Sequence, residues 1–177
     1  MTNEDKKIVF SEDSLDLINR IIRKYPEGKQ KSALLPLLHL AQAEFGGWLS
    51  PEVMDYVATL LKIQPIEVYE VASFYTMFNL KPVGKCVIEI CQTGPCALNG
   101  ATEIVTYLED KLGIKTGETT PDGKFTIKTV ECLAGCGDGP VIQLGKDFYY
   151  NMTREKVDKL LALITKEKLN SHQNPYK

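Results

Sequence analysis

The first part of the chain carries apolar residues at helical spacing. From Ser11 to about Tyr25 they recur three or four positions apart, and Ser11 is a suitable N-cap. Gln30 to Phe45 is more uniformly apolar and predicts a second helix, which Gly46-Gly47 ends. A third helix starts at Ser50-Pro51-Glu52, where an N-cap is followed by proline and an acid, and a fourth spans Pro65 to Thr76. Four short helices in succession predict a small helical bundle.

After residue 80 the pattern changes to short strands alternating with helices. Turn signals at Asp122-Gly123 and Gly145-Lys146-Asp147 separate some of them. The predicted strands are Lys85–Cys91, Lys124–Glu131, Val141–Leu144 and Phe148–Tyr150, and the predicted helices are Ala97–Leu112 and one that Thr153 caps. The order β-α-β-β-β-α is that of a thioredoxin-like domain.

The expected fold mixes α and β structure (α+β/α/β), with a small N-terminal helical bundle followed by a thioredoxin-like domain. The expected domains are residues 1–80 for the bundle, 81–168 for the thioredoxin-like domain, and 169–177 for a flexible polar tail.

Composition narrows the class of protein. The chain has 177 residues, 44% of them hydrophobic and 25% charged, which is ordinary for a soluble globular protein of one or two domains. A net charge of −2 argues against nucleic-acid binding. No stretch approaches the roughly 18 apolar residues of a membrane span, and the N-terminus does not resemble a signal peptide. We therefore expect a cytoplasmic protein that meets a membrane only through partners.

Four cysteines form two close pairs in the second half of the chain. Cys91 and Cys96 lie in Cys-Gln-Thr-Gly-Pro-Cys, and Cys132 and Cys136 lie in Cys-Leu-Ala-Gly-Cys. Each pair follows a predicted strand, so both loops are expected at one end of the sheet. Disulfides rarely persist in the cytosol, so clustered cysteines there more often bind metal or do redox chemistry.

The spacing of the pairs favours an iron–sulfur cluster and leaves two alternatives open. Structural zinc sites prefer two-residue gaps, whereas the gaps here are four and three residues, and plant-type ferredoxins carry three ligands in one run. Both loops are rich in glycine and proline, which allows backbone N–H groups to approach cluster sulfurs. Zinc binding and redox or structural thiols remain the alternatives.

The fifth cysteine, Cys86, is excluded from the site by strand parity. Cys86, Ile88 and Ile90 share one face of the predicted strand and Cys91 belongs to the other, so Cys86 is expected to be a small buried residue. His39 lies among leucines and is expected in a core or interface. No catalytic nucleophile and base, and no nucleotide or flavin fingerprint, are recognisable in the sequence.

Taken together, the two cysteine motifs and the stretch from Val68 to Asn79 resemble a known family. The segments Ala33–Ala41 and Gly47–Ser50 also fit it. The family is the small [2Fe–2S] subunit of respiratory complex I, which is the E subunit of bacterial NADH:quinone oxidoreductase and the 24-kilodalton flavoprotein subunit in mitochondria. One position departs from it, because Gly94 stands where a small hydroxyl residue is expected.

The resemblance implies an electron-transfer subunit without its own substrate site or catalytic residues. One [2Fe–2S] cluster would be bound by Cys91, Cys96, Cys132 and Cys136 and would exchange single electrons with the FMN of a partner. FMN and NADH are expected on the F subunit, with the iron–sulfur G subunit as a further partner, in a complex peripheral to the inner face of the cell membrane that reduces quinone.

The same subunit is reused in soluble NAD-dependent formate dehydrogenases and NAD-linked hydrogenases, which is the first alternative. A free ferredoxin and a zinc-binding interaction module are two further ones.

Overall fold

The chain folds as two compact units. The computed structural model describes residues 8–167 and 169–176. One unit contains residues 8–82 and 174–176, and the other is Val83–Gln173. The predicted boundary at residue 80 lies close to this division, and the assignment of residues 1–80, 81–168 and 169–177 as domains stays a prediction.

The first unit is a bundle of helices. They are α1 (Glu12–Ile22), a 3-10 turn (Gln30–Ala33) continuing into α2 (Leu34–Glu44), α3 (Pro51–Leu61) and α4 (Pro65–Phe74). The predicted N-caps are confirmed, because Ser11 Oγ accepts a hydrogen bond from Ser14 N (3.4 Å) and Ser50 Oγ accepts one from Val53 N (3.2 Å). The predicted single helix from residue 30 to 45 begins as a 3-10 turn, so Pro36 lies in the first turn of α2, where proline is tolerated.

The core of the bundle is made of fully buried aliphatic side chains. Leu37 and Leu38 of α2 and Val57 of α3 have no exposed surface. His39, on the same helix, is half-buried with its ring centroid 5.0 Å from that of Phe78, as expected for a core histidine. Burial lowers the pKa of His39, which favours the neutral ring.

The second unit is a four-stranded mixed sheet with helices packed on it. The strands are β1 (Cys86–Cys91), β2 (Phe125–Val130), β3 (Ile142–Leu144) and β4 (Asp147–Tyr149), and the helices are α5 (Gly94–Leu98), α6 (Ala101–Leu112) and α7 (Arg154–Glu167). The sheet order is β2-β1-β3-β4. β1 is parallel to β2 and antiparallel to β3, which is antiparallel to β4. The predicted order of strands and helices is therefore confirmed.

One predicted helix is wrong in its bounds. The predicted helix is interrupted at Asn99 and Gly100, so residues 97–112 belong to two helices, α5 and α6. Gly100 has φ +92°, a left-handed conformation that glycine adopts without strain. Cys96, which directly precedes the predicted helix start at Ala97, therefore lies inside the short α5.

Alternate residues of β1 face the main core. Cys86, Ile88 and Ile90 pack with Ile104 and Leu108 of α6 and with the apolar side of α7. Cys91 belongs to a separate small cluster. Cys86 is thus buried on the face that strand parity predicts: the residue is 1% exposed and its thiol donates to Leu169 O at 2.9 Å.

The segment after α7 contacts the beginning of β1. Ser171 N donates to Lys85 O (3.0 Å), Ser171 Oγ accepts from Val87 N (2.9 Å), and His172 Nε2 lies 2.8 Å from Gly84 O. Flexibility of residues 169–177 stays a prediction, although Leu169, Ser171 and His172 are hydrogen-bonded to residues 84–87. No helix in the described part of the chain is both long enough and apolar enough to cross a membrane.

Candidate metal centre

The parallel pairing of β1 and β2 brings both cysteine loops to one end of the sheet. Cys91, the last residue of β1, is opposite Val130, the last residue of β2. Cys132 follows Val130 by two positions, so the two loops leave the sheet side by side. Gly139 in the second loop contacts the first, because a Cβ built on it would lie 3.3 Å from Cys96 Sγ.

The first pair is buried. Cys91 and Cys96 are 1% and 2% exposed and pack with Ala101 and Val141, with Leu133 against them. Cys91 is the last residue of β1 and Cys96 lies in the first turn of α5, so regular backbone structure fixes the positions of both residues.

The second pair is exposed and lies on a loop. Cys132 Sγ and Cys136 Sγ are 3.9 Å apart, and both residues are exposed. Two thiolates bound to one tetrahedral metal, with bonds of about 2.3 Å, lie about 3.8 Å apart. The second pair therefore already has the separation that one tetrahedral metal ion requires.

Each loop places a hydrogen-bonding group beside a cysteine sulfur. Ala134 N lies 3.3 Å from Cys132 Sγ. The hydroxyl of Thr93 lies 3.2 Å from Cys91 Sγ. Such donors stabilise thiolate charge and are the contacts that adjust iron–sulfur potentials.

The pKa values of the thiols are shifted in different directions. Burial acts to raise the pKa of Cys91, but the hydrogen bonds from Thr93, Leu133 and Cys96 outweigh it and lower the pKa overall. Burial, followed by the hydrogen bond with Cys91, raises the pKa of Cys96. The hydrogen bond with Cys132, followed by its charge, raises the pKa of Cys136. Cys91 is therefore easier to deprotonate than Cys96 or Cys136.

A segment after β4 holds the second loop. Asn151 N donates to Asp138 O (2.7 Å), Asn151 Nδ2 donates to Asp138 Oδ1 (3.1 Å), and Met152 N donates to Pro140 O (3.1 Å). Gly135 packs under the Tyr150 ring, since a Cβ there would lie 2.9 Å from Tyr150 Cε1. We refer to Asp138 and Asn151 as the loop latch, which fixes the loop that carries Cys136.

Both pairs of predicted ligand residues thus follow strands at the same end of the sheet, and Cys86 lies apart from them in the main core. Among residues 8–167 and 169–176, no three His, Cys, Asp or Glu side chains are grouped so that they could hold a metal ion between them. The thiols are arranged as two neighbouring pairs. Sequence reasoning missed the loop latch and the contact of Thr93 with Cys91, although a threonine two residues after a cysteine and just before Gly-Pro is a recognisable helix-start signal.

Comparison with known proteins places the chain in a family. The family model for thioredoxin-like [2Fe-2S] ferredoxins matches residues 18–165. The chain belongs to the thioredoxin-like [2Fe-2S] ferredoxin family. The predicted fold class is confirmed, and the four cysteines lie within the matched range.

Relatives within the thioredoxin-like [2Fe-2S] ferredoxin family agree with the resemblance noted from the sequence. The E subunit of NADH-quinone oxidoreductase from Rickettsia felis (strain ATCC VR-1525 / URRWXCal2) is 49% identical over 152 residues, which cover 86% of this chain and 91% of that protein. Mitochondrial NADH dehydrogenase (ubiquinone) flavoprotein 2 of Dictyostelium discoideum is 44% identical over 166 residues, covering 94% of this chain and 67% of that protein. The predicted resemblance to the E subunit is confirmed.

A solved structure shares the fold. An NAD+-reducing [NiFe]-hydrogenase in the air-oxidized state superposes with a TM-score of 0.66 at 19% identity, over 76% of this chain and 23% of that one. At this identity the similarity shows the fold alone.

Proposed function

We propose that the chain is the electron-transfer subunit of an NADH:quinone oxidoreductase and that Cys91, Cys96, Cys132 and Cys136 hold one [2Fe–2S] cluster. The observation that carries the proposal is the arrangement of two thiol pairs at one sheet end, the second with Sγ atoms 3.9 Å apart. A two-iron cluster takes four thiolates, two on each iron. The bound cluster would accept and release one electron at a time.

The surroundings of the thiols fit such a cluster. The backbone N–H of Ala134 donates to Cys132 Sγ, the Thr93 hydroxyl lies 3.2 Å from Cys91 Sγ, and apolar side chains enclose the first pair. Negative charge on a bound cluster is stabilised by these donors, and water is excluded from the buried side. The chain's own residues would therefore hold the cluster, adjust its potential and keep water from the sulfurs of the first pair.

The role in a complex follows from the relatives. Proteins 44% and 49% identical over most of the chain are named as subunits of NADH dehydrogenase and NADH-quinone oxidoreductase. We infer that FMN and NADH are bound by a partner corresponding to the F subunit of complex I, with the G subunit in the same assembly at the inner face of the membrane. The hydrogenase alternative is supported only by a fold at 19% identity, so complex I is preferred.

The first experiment tests the cluster. The full chain, purified without oxygen, is expected to be coloured, to contain two irons and two acid-labile sulfides per chain, and to give an S = 1/2 EPR signal after dithionite reduction. A colourless protein that contains stoichiometric zinc would contradict the cluster and support the zinc-binding alternative.

The second experiment tests the assembly. The tagged chain, expressed at its native level, is recovered separately from solubilised membranes and from the cytosol. We expect co-purification of a flavin-containing, NADH-oxidising subunit together with membrane subunits. Recovery only with a soluble formate dehydrogenase or hydrogenase would replace complex I by that alternative.

A further inference from the structure

Thr93 occupies the N-cap position of α5 without capping it. A threonine in this position normally accepts a hydrogen bond from the N–H of the second or third helical residue. The second residue here is Pro95, which has no N–H, and the third is Cys96. Within the described chain, the Thr93 side chain makes no capping hydrogen bond. The hydroxyl is therefore available for another partner.

That partner is the sulfur of Cys91. Thr93 Oγ1 lies 3.2 Å from Cys91 Sγ, which is within hydrogen-bonding distance for oxygen and sulfur. In the free thiol either atom can be the donor. A metal-bound thiolate has no proton to give, so with a cluster in place the hydroxyl must donate and the sulfur accept.

Burial makes this contact difficult to replace. Cys91 is 1% exposed and Thr93 is half-buried. If the hydroxyl were removed, water could not readily take its place at the sulfur. A hydrogen bond to a charged atom inside an apolar environment also contributes more than the same bond in water.

We propose that Thr93 is a positioning residue for the redox equilibrium, because its hydroxyl donates to the Cys91 sulfur and thereby favours the reduced cluster. The proposal rests on the proposed function. Reduction of the cluster takes one electron from an external donor, such as dithionite, and adds one negative charge. No bond is formed or broken and no proton is transferred. A donor aimed at a ligand sulfur stabilises the more negative state and raises the reduction potential.

The test compares midpoint potentials of the purified, cluster-containing full chain. Thr93→Val keeps the shape of the side chain and removes the hydroxyl, whereas Thr93→Ser keeps the hydroxyl. We expect Thr93→Val to lower the reduced-to-oxidised ratio at a fixed potential by up to about tenfold, equivalent to about 59 mV for a one-electron couple. Thr93→Ser should stay within about twofold of wild type, since its donor is retained.

The matched control is Thr106→Val on α6. Thr106 is exposed and its hydroxyl donates to Thr102 O (3.1 Å), so this variant removes a threonine hydroxyl away from the cysteines. Its midpoint potential should equal that of wild type. An unchanged potential in Thr93→Val, or an equal shift in Thr93→Val and Thr93→Ser, would overturn the proposal.

A measurement on the wild-type protein covers the case in which Thr93→Val does not retain a cluster. The Thr93 hydroxyl proton exchanges with solvent faster than buried backbone N–H protons. The reduced protein should therefore lose one hyperfine-coupled proton within seconds of mixing with D2O, as seen by electron–nuclear double resonance. The absence of any rapidly exchanging, hyperfine-coupled proton would overturn the proposal. A wild-type chain without any iron would instead refute the proposed function itself.

Discussion

The two cysteine pairs are held in different ways. Cys91 and Cys96 are fixed by the end of a strand and by a short helix, and both are buried among apolar side chains. Cys132 and Cys136 lie on an exposed loop that is shaped by glycines and held by the loop latch. The first pair therefore depends on burial, and the second depends on the backbone conformation of its loop. Substitutions that change either the burial or the loop conformation should therefore affect the two pairs differently.

The largest effects are expected when a proposed ligand is replaced. Cys91→Ser and Cys132→Ser should each bleach or shift the visible spectrum of the cluster, since serine is a poor ligand in place of thiolate. Without the cluster, Cys91→Ser should also lose about 1 kcal/mol of unfolding free energy through burial of a hydroxyl. Cys132→Ser, which is exposed, should stay within about 0.5 kcal/mol. Visible absorption and urea denaturation measure the two effects.

Cys86→Ser is the control for the ligand variants. Cys86 is buried in the main core on the opposite face of β1, and a serine hydroxyl could still donate to Leu169 O. The variant should keep the cluster spectrum. Loss of the cluster would show that strand parity assigns this cysteine wrongly.

A smaller effect is expected from crowding the exposed loop. A Cβ at Gly135 would meet Tyr150 Cε1 and Val141 Cγ2 at 2.9 Å, whereas a Cβ at Gly137 would meet nothing within 4 Å. Gly135→Ala should weaken cluster retention by about 1–3 kcal/mol, the usual cost of overpacking. Gly137→Ala should not change it. The rate of bleaching with a strong iron chelator gives the comparison, and equal rates in both variants would contradict the packing of this loop.

A modest effect is expected when the loop latch loses its side-chain hydrogen bond. Asp138→Ala removes the contact between Asp138 Oδ1 and Asn151 Nδ2, while the backbone bond from Asn151 N to Asp138 O remains possible. Because both side chains are exposed, the bond contributes little, and chelator bleaching should accelerate about threefold. Asp147→Ala, at the start of β4, serves as a control of the same type. No acceleration in Asp138→Ala would mean that the backbone alone holds the loop.

The smallest effect on either cysteine pair is expected from a substitution in the helical bundle, His39→Leu. Burial lowers the pKa of His39, so the folded state prefers the neutral ring. The stability that this preference provides is present above the ordinary histidine pKa of about 6.5 and decreases as the pH falls below it. Relative to His39→Leu, wild type should therefore lose melting temperature between pH 7.5 and 5.5. The spectrum of the cluster should be the same in both proteins. If the melting temperatures of both proteins fell equally between pH 7.5 and 5.5, the stabilising role of the neutral His39 ring would be contradicted.

The sequence predicted the elements better than the contacts between them. The alternation in β1 placed Cys86 and Cys91 on opposite faces, and the caps at Ser11, Ser50 and Thr153 are confirmed, with Lys156 N donating to Thr153 Oγ1. These features depend on neighbouring residues. The period of the side chains and the chemistry of the helix start were sufficient to find them.

The missed features depend on distant residues or on a single conformation. The loop latch joins residues 13 positions apart, and no local pattern indicates that Asn151 reaches Asp138. The break at Gly100 was overlooked because a lone glycine in a helical pattern is often tolerated, at a cost of about 1 kcal/mol. Only its left-handed φ shows that α5 is separate. That the four cysteines are ligands remains a prediction, which the iron, sulfide and zinc content of the purified chain decides.

The hydrogen bonds between Ser171 and the start of β1 affect how the chain folds during synthesis. Ser171 lies beside Gly145, at the turn after β3, and bonds to Lys85 and Val87, which β3 does not reach. Lys85 and Ser171 are 86 positions apart. A nascent chain thus exposes part of the edge of β1 until residue 171 has left the ribosome. An open strand edge can pair with other chains, so ribosome-bound intermediates that stop before this point should be the most dependent on chaperones.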